Sequence, residues 1–346
     1  MRPFSEKWRP LTNLGLVCAT LLICAVCAEW GLRLGRDLYP SFYPIRMGWV
    51  GQFQNRPSAT FVTDSETGWK MRPNNSFTWV IGREEQIYQS NSQGFRSSAD
   101  FDKGDQRAKF AFVGDSFTFG TGVTVDETFP VLLEKGSRDR VSWNFGMPGF
   151  GVDQVWLSAR RQALPLKPDL LVVGLVNIDF ERSQTPYRQL EGFGKPTFKL
   201  VGGRLTQRMT EQPPNALLRY LDQDSRAWSM RRRVMQWLGF HLGWGEFWTL
   251  NEAIIAAIRE DCRQAGVPVL FVYIPAKGFQ PFPALQAYMR RSGAEYIDLT
   301  EQQPVPPASI YLKYDGHLSA EGHRYVADLI ESWLKTHPPV TVQAHP

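Results

Sequence analysis

From Ala108 onward the sequence alternates between short apolar runs and segments of helical periodicity, and this alternation limits the fold more than any other feature. Runs rich in Val, Leu and Phe at 108–114, 141–146, 169–176, 267–274 and 294–299 read as strands. Helical patterns lie between them at about 126–136, 152–164, 250–265 and 283–292, with a last one at 319–335. The helix over 250–265 sets Ile254, Ile255, Ile258 and Cys262 on one face and stops at Gly266. The last helix opens at Ser319, a good N-cap, and lines up Tyr325, Val326, Leu329, Ile330, Trp333 and Leu334. Strands this apolar need cover on both faces, so the expectation is a three-layer α/β fold around a mostly parallel five-stranded sheet.

The chain of 346 residues is long enough for one large domain or two modest ones. Its 43% hydrophobic and 21% charged composition is that of a globular protein, not of a disordered, fibrous or multi-span membrane chain. Three of the four cysteines (Cys18, Cys24, Cys27) lie in an N-terminal apolar stretch, which leaves Cys262 alone and excludes a disulfide framework or a cysteine-based metal site. Cys262 reads as a small buried residue. Pro10 to Ala28 carries no charge over 19 residues and follows Arg2, Lys7 and Arg9. That pattern predicts a membrane anchor over 10–30 with residues 1–9 in the cytoplasm and the body of the protein outside it. A cleavable signal peptide ending near Val26-Cys27-Ala28 is the alternative, and it delivers the body to the same side.

Residues 31–107 intersperse aromatics (Trp49, Phe53, Phe61, Trp69, Phe77, Trp79, Tyr88, Phe95) with turn residues, and read as a small β-rich lead-in. A strand pair is expected at 78–81 and 85–90, joined through Gly82. Packing explains its aromatics more simply than a carbohydrate-facing role. Within the α/β region a long insertion at about 181–249 carries most of the net charge of +5. From Lys195 to Phe240 there are nine Lys or Arg against Glu211, Asp222 and Asp224, with Trp228, Arg231-Arg232-Arg233, Trp237, Trp244 and Trp248 toward its end. It could lie on a membrane surface, bind an anionic polymer, cover a site, or be an amphipathic helix pair. Residues 337–346, with three prolines, read as a loose tail. Nucleic acid is not an expected partner for an exported chain.

The first strand runs into Gly114-Asp115-Ser116 and a glycine-rich turn through Gly120 and Gly122. A hydroxyl at the carboxyl end of such a strand projects into the crevice where α/β sheets place their sites, which makes Ser116 a candidate nucleophile. The glycine spacing does not suit a dinucleotide site, and no acid ends the next strand. A serine nucleophile needs a base, an acid to orient it and oxyanion donors. Of the five histidines, His337 and His345 are in the tail, His241 is in the insertion, and His323 is in the first turns of the last helix. His317 remains, in a loop, with Asp315 two residues before it as a candidate orienting acid. Gly149, in the loop after the second strand, and Asn177, at the end of the third, could supply an N–H and an amide beside the Ser116 N–H. Taken singly, a turn glycine and a strand-end cap would explain them. Four strand-end signals in one order favour a site.

With Ser116 in Gly-Asp-Ser, Gly149 in Asn-x-x-x-x-Gly, Asn177 at a strand end and His317 with Asp315, the chain resembles the SGNH, or GDSL-type, hydrolases over about residues 108–336. The resemblance implies a flavodoxin-like sheet, a catalytic set of Ser116, His317 and Asp315, an oxyanion hole from Ser116, Gly149 and Asn177, and no cofactor or metal. The family usually places its acid three residues before the histidine, where this chain has Tyr314, and reads Asn-Asp where this chain has Asn177-Ile178-Asp179. The two-residue spacing is similar to that of polysaccharide O-acetyltransferases, and the lead-in from Asn91 to Arg96 looks like that of anchored bacterial envelope members. The expected activity is therefore an extracytoplasmic serine esterase acting on O-acylated carbohydrate or a related ester. The alternatives are an O-acyltransferase working with envelope polysaccharide machinery and a catalytically idle glycan-binding protein of a secretion assembly.

Overall fold

The computed structural model describes residues 15–24, 26–27, 60–81, 84–184, 187–188, 193–209, 234–235, 237–239, 241–276, 281–313 and 315–337. The chain divides into two units, residues 1–47 with 214–237, and residues 48–213 with 238–346. In the first, residues 15–24 and 26–27 are helical with exposed side chains, and the rest of the expected 10–30 span lies outside the described residues. No helix among the described residues is long and apolar enough to cross a membrane.

The second unit opens with two antiparallel pairs, β1 (Phe61–Asp64) with β2 (Gly68–Met71) and β3 (Ser76–Ile81) with β4 (Glu84–Gln89). Phe61, Trp69, Phe77, Trp79, Tyr88 and Phe95 are all buried, so these aromatics serve packing. Trp49, Phe53 and Gly82 lie outside the described residues. The α/β body follows in the expected alternation: β5 (Ala108–Val113), α1 (Ser116–Phe119), α2 (Phe129–Lys135), β6 (Arg140–Asn144), α3 (Val152–Ser158), β7 (Leu170–Leu175) and α4 (Asn177–Arg182). After four short strands, β8 (Tyr187–Arg188), β9 (Phe193–Gly194), β10 (Pro196–Val201) and β11 (Arg204–Met209), the alternation resumes. It closes with α5 (Gly245–Ala265), β12 (Val269–Tyr273), α6 (Pro283–Ser292), β13 (Tyr296–Asp298) and α7 (Ala320–Thr336).

Five parallel strands pair in the order β13-β12-β7-β5-β6. Alternate residues face opposite layers, as strand geometry requires. Ala111, Val113, Leu171, Val173 and Phe271 pack in the layer that holds Ile254, Ile258 and Cys262 of α5, Tyr288 of α6 and the lead-in aromatics. Phe110, Phe112, Val172 and Leu270 pack with Phe129 and Leu133 of α2 and Val326, Ile330 and Leu334 of α7. The strand order reverses beside β5, because β6 lies on one side of it and β7 on the other. That switch point is where open α/β sheets leave a crevice at their carboxyl ends.

In the insertion, residues 193–209 are extended, and residues 234–235 and 237–239 are helical. β10 and β11 form a hairpin running from Pro196 opposite Met209 to Val201 opposite Arg204. Gly202 and Gly203 turn it with φ of 56° and 77°, the left-handed geometry that a two-residue hairpin turn demands. Trp228 and Arg231 to Arg233 lie outside the described residues. Toward the end of the insertion α5 starts at Gly245, earlier than expected, because Phe247 and Trp248 are buried and extend its apolar face by a turn. Lys195, between β9 and β10, is wholly buried. Its Nζ donates to Asp153 Oδ1 and Oδ2 on α3 at 2.9 and 2.6 Å and to the Arg182 carbonyl at 2.8 Å.

Candidate active site

Ser116 is the first residue of α1, a one-turn helix hung on the end of β5. Asp115 caps it by accepting the Phe117 N–H at 2.8 Å, and Gly120 N–H closes the turn on the Ser116 carbonyl at 3.1 Å. The turn sits tightly on the sheet. A Cβ added at Gly114 or Gly174 would lie 2.0 or 2.2 Å from Thr118 Oγ1, so both strand positions need glycine for Thr118 to fit between them.

His317 comes from the loop before α7 and presents Nε2 to Ser116 Oγ at 2.8 Å. Its Nδ1 hydrogen-bonds the Asp315 carboxylate, which also accepts the His317 backbone N–H at 2.9 Å. The two-residue spacing is thus sterically suited to its task, since one carboxylate oxygen holds both the backbone and the ring of the residue two positions on. Position 314 lies outside the described residues. An ionised carboxylate can only accept, so the imidazole proton sits on Nδ1 and Nε2 is left to receive the serine proton. Burial acts to raise the Asp315 carboxyl, but the hydrogen bond and charge of His317 outweigh it and hold the group below its ordinary value. Phe117 packs against the imidazole with ring centroids 4.8 Å apart. Ser116 is fully buried, as is nearly all of His317.

Asn177 and Gly149 come from the segments that follow the two strands beside β5, β7 and β6. Asn177 begins α4 directly after β7; its Oδ1 accepts the Ala276 N–H at 3.2 Å, and its Nδ2 is buried with no hydrogen-bond partner. Gly149 follows β6 in a turn that needs its φ of 83°. Asn144, at the end of β6, ties that loop to α1 by donating to the Thr118 carbonyl at 3.0 Å and accepting the Gly146 N–H at 2.9 Å. The sequence candidates Ser116, Gly149, Asn177, Asp315 and His317 therefore all come to the carboxyl end of the sheet around the switch point.

Several residues that shape the site were missed as such. Arg96, buried at 2% exposure, donates to the carbonyls of Phe119 at 3.0 Å and Val123 at 2.6 Å, and also to that of Gly120. Its guanidinium lies over the Tyr88 ring at 4.4 Å, and the Tyr88 hydroxyl accepts the Gly122 N–H at 2.8 Å. Burial pushes Arg96 down to about 10, which leaves it charged at neutral pH. Trp69 of β2 donates its indole N–H to the Pro148 carbonyl at 3.1 Å, steadying the turn that carries Gly149. Asp179 and Arg182 of α4 lie behind Asp115, with Arg182 Nη1 at 2.9 Å from a carboxylate oxygen of each. The Asn91 to Arg96 stretch and the i,i+3 spacing of Asp179 and Arg182 were the available signals. Among the described residues no group of three or more His, Cys, Asp or Glu is placed to hold a metal ion.

No protein-family model and no curated protein matches the chain. Solved structures similar to it include a GDSL-like lipase from Bacteroides thetaiotaomicron, at 13% identity over 68% of this chain and 93% of that one, with a TM-score of 0.40. A member of the G-D-S-L lipolytic family from Veillonella parvula is 12% identical over 66% and 98%, with a TM-score of 0.40. The lipase/acylhydrolase from Enterococcus faecalis is 16% identical over 67% and 97%, with a TM-score of 0.38.

Proposed function

We propose that this chain is a serine ester hydrolase working through an acyl-serine intermediate, with O-acylated carbohydrate or a related ester as substrate. The observation that carries the reading is the run Ser116 Oγ, His317 Nε2 at 2.8 Å, and His317 Nδ1 on Asp315, with the unpartnered Asn177 Nδ2 after the adjacent strand. Ser116 attacks the ester carbonyl while His317 takes its proton, and Asp315 holds the imidazolium that results. The carbonyl oxygen becomes an oxyanion, stabilised by the Asn177 amide and the N–H groups of Ser116 and Gly149. His317 returns the proton to the leaving alcohol, and water, activated by the same imidazole, then releases the acid and frees Ser116. Placement outside the cytoplasm and tethering at a membrane are part of the proposal, supported by the charge-free stretch from Pro10 to Ala28 behind Arg2, Lys7 and Arg9.

One observation favours a second reading, an O-acyltransferase that passes the same acyl group to a sugar hydroxyl. Ser116 is 0% exposed, which limits the access of bulk water to an acyl-serine formed there. The test is release from p-nitrophenyl acetate by the purified protein beside Ser116→Ala and His317→Ala, with and without an added oligosaccharide. Release that both substitutions abolish is expected, and acetyl appearing on the sugar would move the assignment to transferase. Absence of release together with absence of labelling by a fluorophosphonate would overturn both readings and turn the assignment to a glycan-binding protein.

A further inference from the structure

Asp115 sets a problem that the triad does not solve. One of its oxygens caps α1, and the other, Oδ2, lies 3.3 Å from Ser116 Oγ in a site where Asp115 is 1% exposed. A carboxylate so placed competes with His317 for the serine proton, and it opposes the negative charge that develops on Oγ as the proton leaves.

The same Oδ2 accepts from Arg182 Nη1 at 2.9 Å. That nitrogen also reaches Asp179 Oδ1 at 2.9 Å and the Phe150 carbonyl at 3.0 Å. Asp115 precedes Ser116, Phe150 follows Gly149, and Asp179 shares α4 with Asn177, so one guanidinium nitrogen touches all three segments that supply the nucleophile and the oxyanion donors. Asp179 Oδ2 accepts the Val176 N–H at 2.9 Å, which fixes the start of α4. Burial and the neighbouring Asp115 charge push the Asp179 carboxyl well above its ordinary value, so Asp179 holds its charge less readily beside Arg182. Lys195 pairs with Asp153 beside this group and donates to the Arg182 carbonyl. Ser116 Oγ is also met by His317, whose other ring nitrogen Asp315 holds.

We propose that Arg182 is a positioning residue for the nucleophile, neutralising the Asp115 carboxylate so that the Ser116 proton goes to His317, and aligning the three site segments through one nitrogen. This rests on the reading of Ser116 as nucleophile. An ordinary structural ion pair would also join α4 to the turn, but it would not make the need for Arg182 depend on the charge of Asp115.

That dependence is the test. Arg182→Met, Arg182→Lys, Asp115→Asn and the Arg182→Met/Asp115→Asn double variant are compared with wild type in the full chain. The readouts are kcat and KM on p-nitrophenyl acetate across pH, fluorophosphonate labelling and the thermal midpoint. Asn keeps the shape and the capping oxygen of Asp115 while removing its charge. Arg182→Met is expected to lose about 100-fold in kcat with little change in KM, and to move the acidic limb of the kcat/KM profile to higher pH. Arg182→Lys restores part of the loss, and the double variant returns to within about tenfold of Asp115→Asn alone. A double variant as inactive as Arg182→Met, or activity that follows only the thermal midpoint, would overturn the proposal. If Arg182→Met does not fold, Arg182→Lys and the double variant decide by the same criteria. Wild type that neither turns over substrate nor takes the label would sink the underlying reading of Ser116, an outcome distinct from failure of the Arg182 role alone.

Discussion

Replacing Asn177 tests the oxyanion assignment at one atom. Its Oδ1 is occupied by the Ala276 N–H at 3.2 Å, whereas its Nδ2 is buried and unpartnered, so the two halves of the amide have separate tasks. Asn177→Ala removes a donor that acts only when negative charge forms. The expected loss is about 10²- to 10³-fold in kcat, or roughly 3–4 kcal/mol, with KM nearly unchanged. Leaving the Ala276 N–H without its acceptor costs a further 1–3 kcal/mol or so of stability. Asn177→Asp is the sharper variant, because it is nearly isosteric and keeps an oxygen for Ala276. It also puts a carboxylate oxygen where the donor was. At about 4 Å and an effective dielectric near 20, the repulsion of a developing oxyanion is on the order of 4 kcal/mol, so Asp is expected to be at least as impaired as Ala despite retaining more of the structure. Steady-state release of p-nitrophenol, with circular dichroism to establish folding, measures both. If folded Asn177→Ala kept activity within about threefold of wild type, or if Asp exceeded Ala, the donor role would be refuted.

Two further outcomes concern the scaffold. Lys195→Met strands Asp153 as a buried charge and is expected to destabilise the protein by about 3–5 kcal/mol in urea unfolding, while Lys195→Met/Asp153→Leu recovers most of that loss. His323 is buried, accepts the Phe129 N–H at Nδ1, and is pushed down to about 3, chiefly by burial and then by the charge of Arg96. Between its ordinary value near 6.5 and about 3, the unfolded chain binds a proton that the folded chain does not. Stability therefore falls as pH falls through that window, by up to about 1.4 kcal/mol per pH unit. Urea midpoints taken from pH 7 to 4 should show a shallower decline for His323→Asn, and an unchanged slope would refute the assignment.

The sheet was readable because its strands announce themselves locally: Phe110 to Val113 and Leu170 to Leu175 are apolar runs buried from end to end. Ser116 and His317 were readable by chemistry, since few side chains can fill those roles and each follows a strand signal. The Gly202-Gly203 turn is also a local signal, but the strands on either side of it are interrupted by Lys199, Arg204 and Arg208, so no apolar run marks them. What could not be read is held by partners distant in sequence. Trp69 reaches Pro148 across 79 residues, Arg182 reaches Asp115 across 67, and Lys195 reaches Asp153 across 42. No periodicity links such residues, and a buried cation has no signature until its acceptors are brought to it. Helix α5 began early for a related reason: Phe247 and Trp248 join its apolar face only because Phe180 and Phe282 are there to receive Trp248, at ring-centroid distances of 6.4 and 5.3 Å.

The reach of Arg96 bears on how this protein can be divided. The repeating strand-and-helix pattern invites a cut at Ala108, ahead of everything that resembles catalytic machinery. Such a fragment would contain Ser116, Gly149, Asn177, Asp315 and His317 and still lack the mould in which they are cast. The carbonyls of Phe119, Gly120 and Val123 would face an empty socket, Gly122 would lose the Tyr88 hydroxyl, and the Pro148 turn would lose its indole. A piece that keeps the Ser116 turn in shape thus has to retain Trp69, Tyr88 and Arg96, and the first strands support the candidate site as much as the loops that carry its side chains.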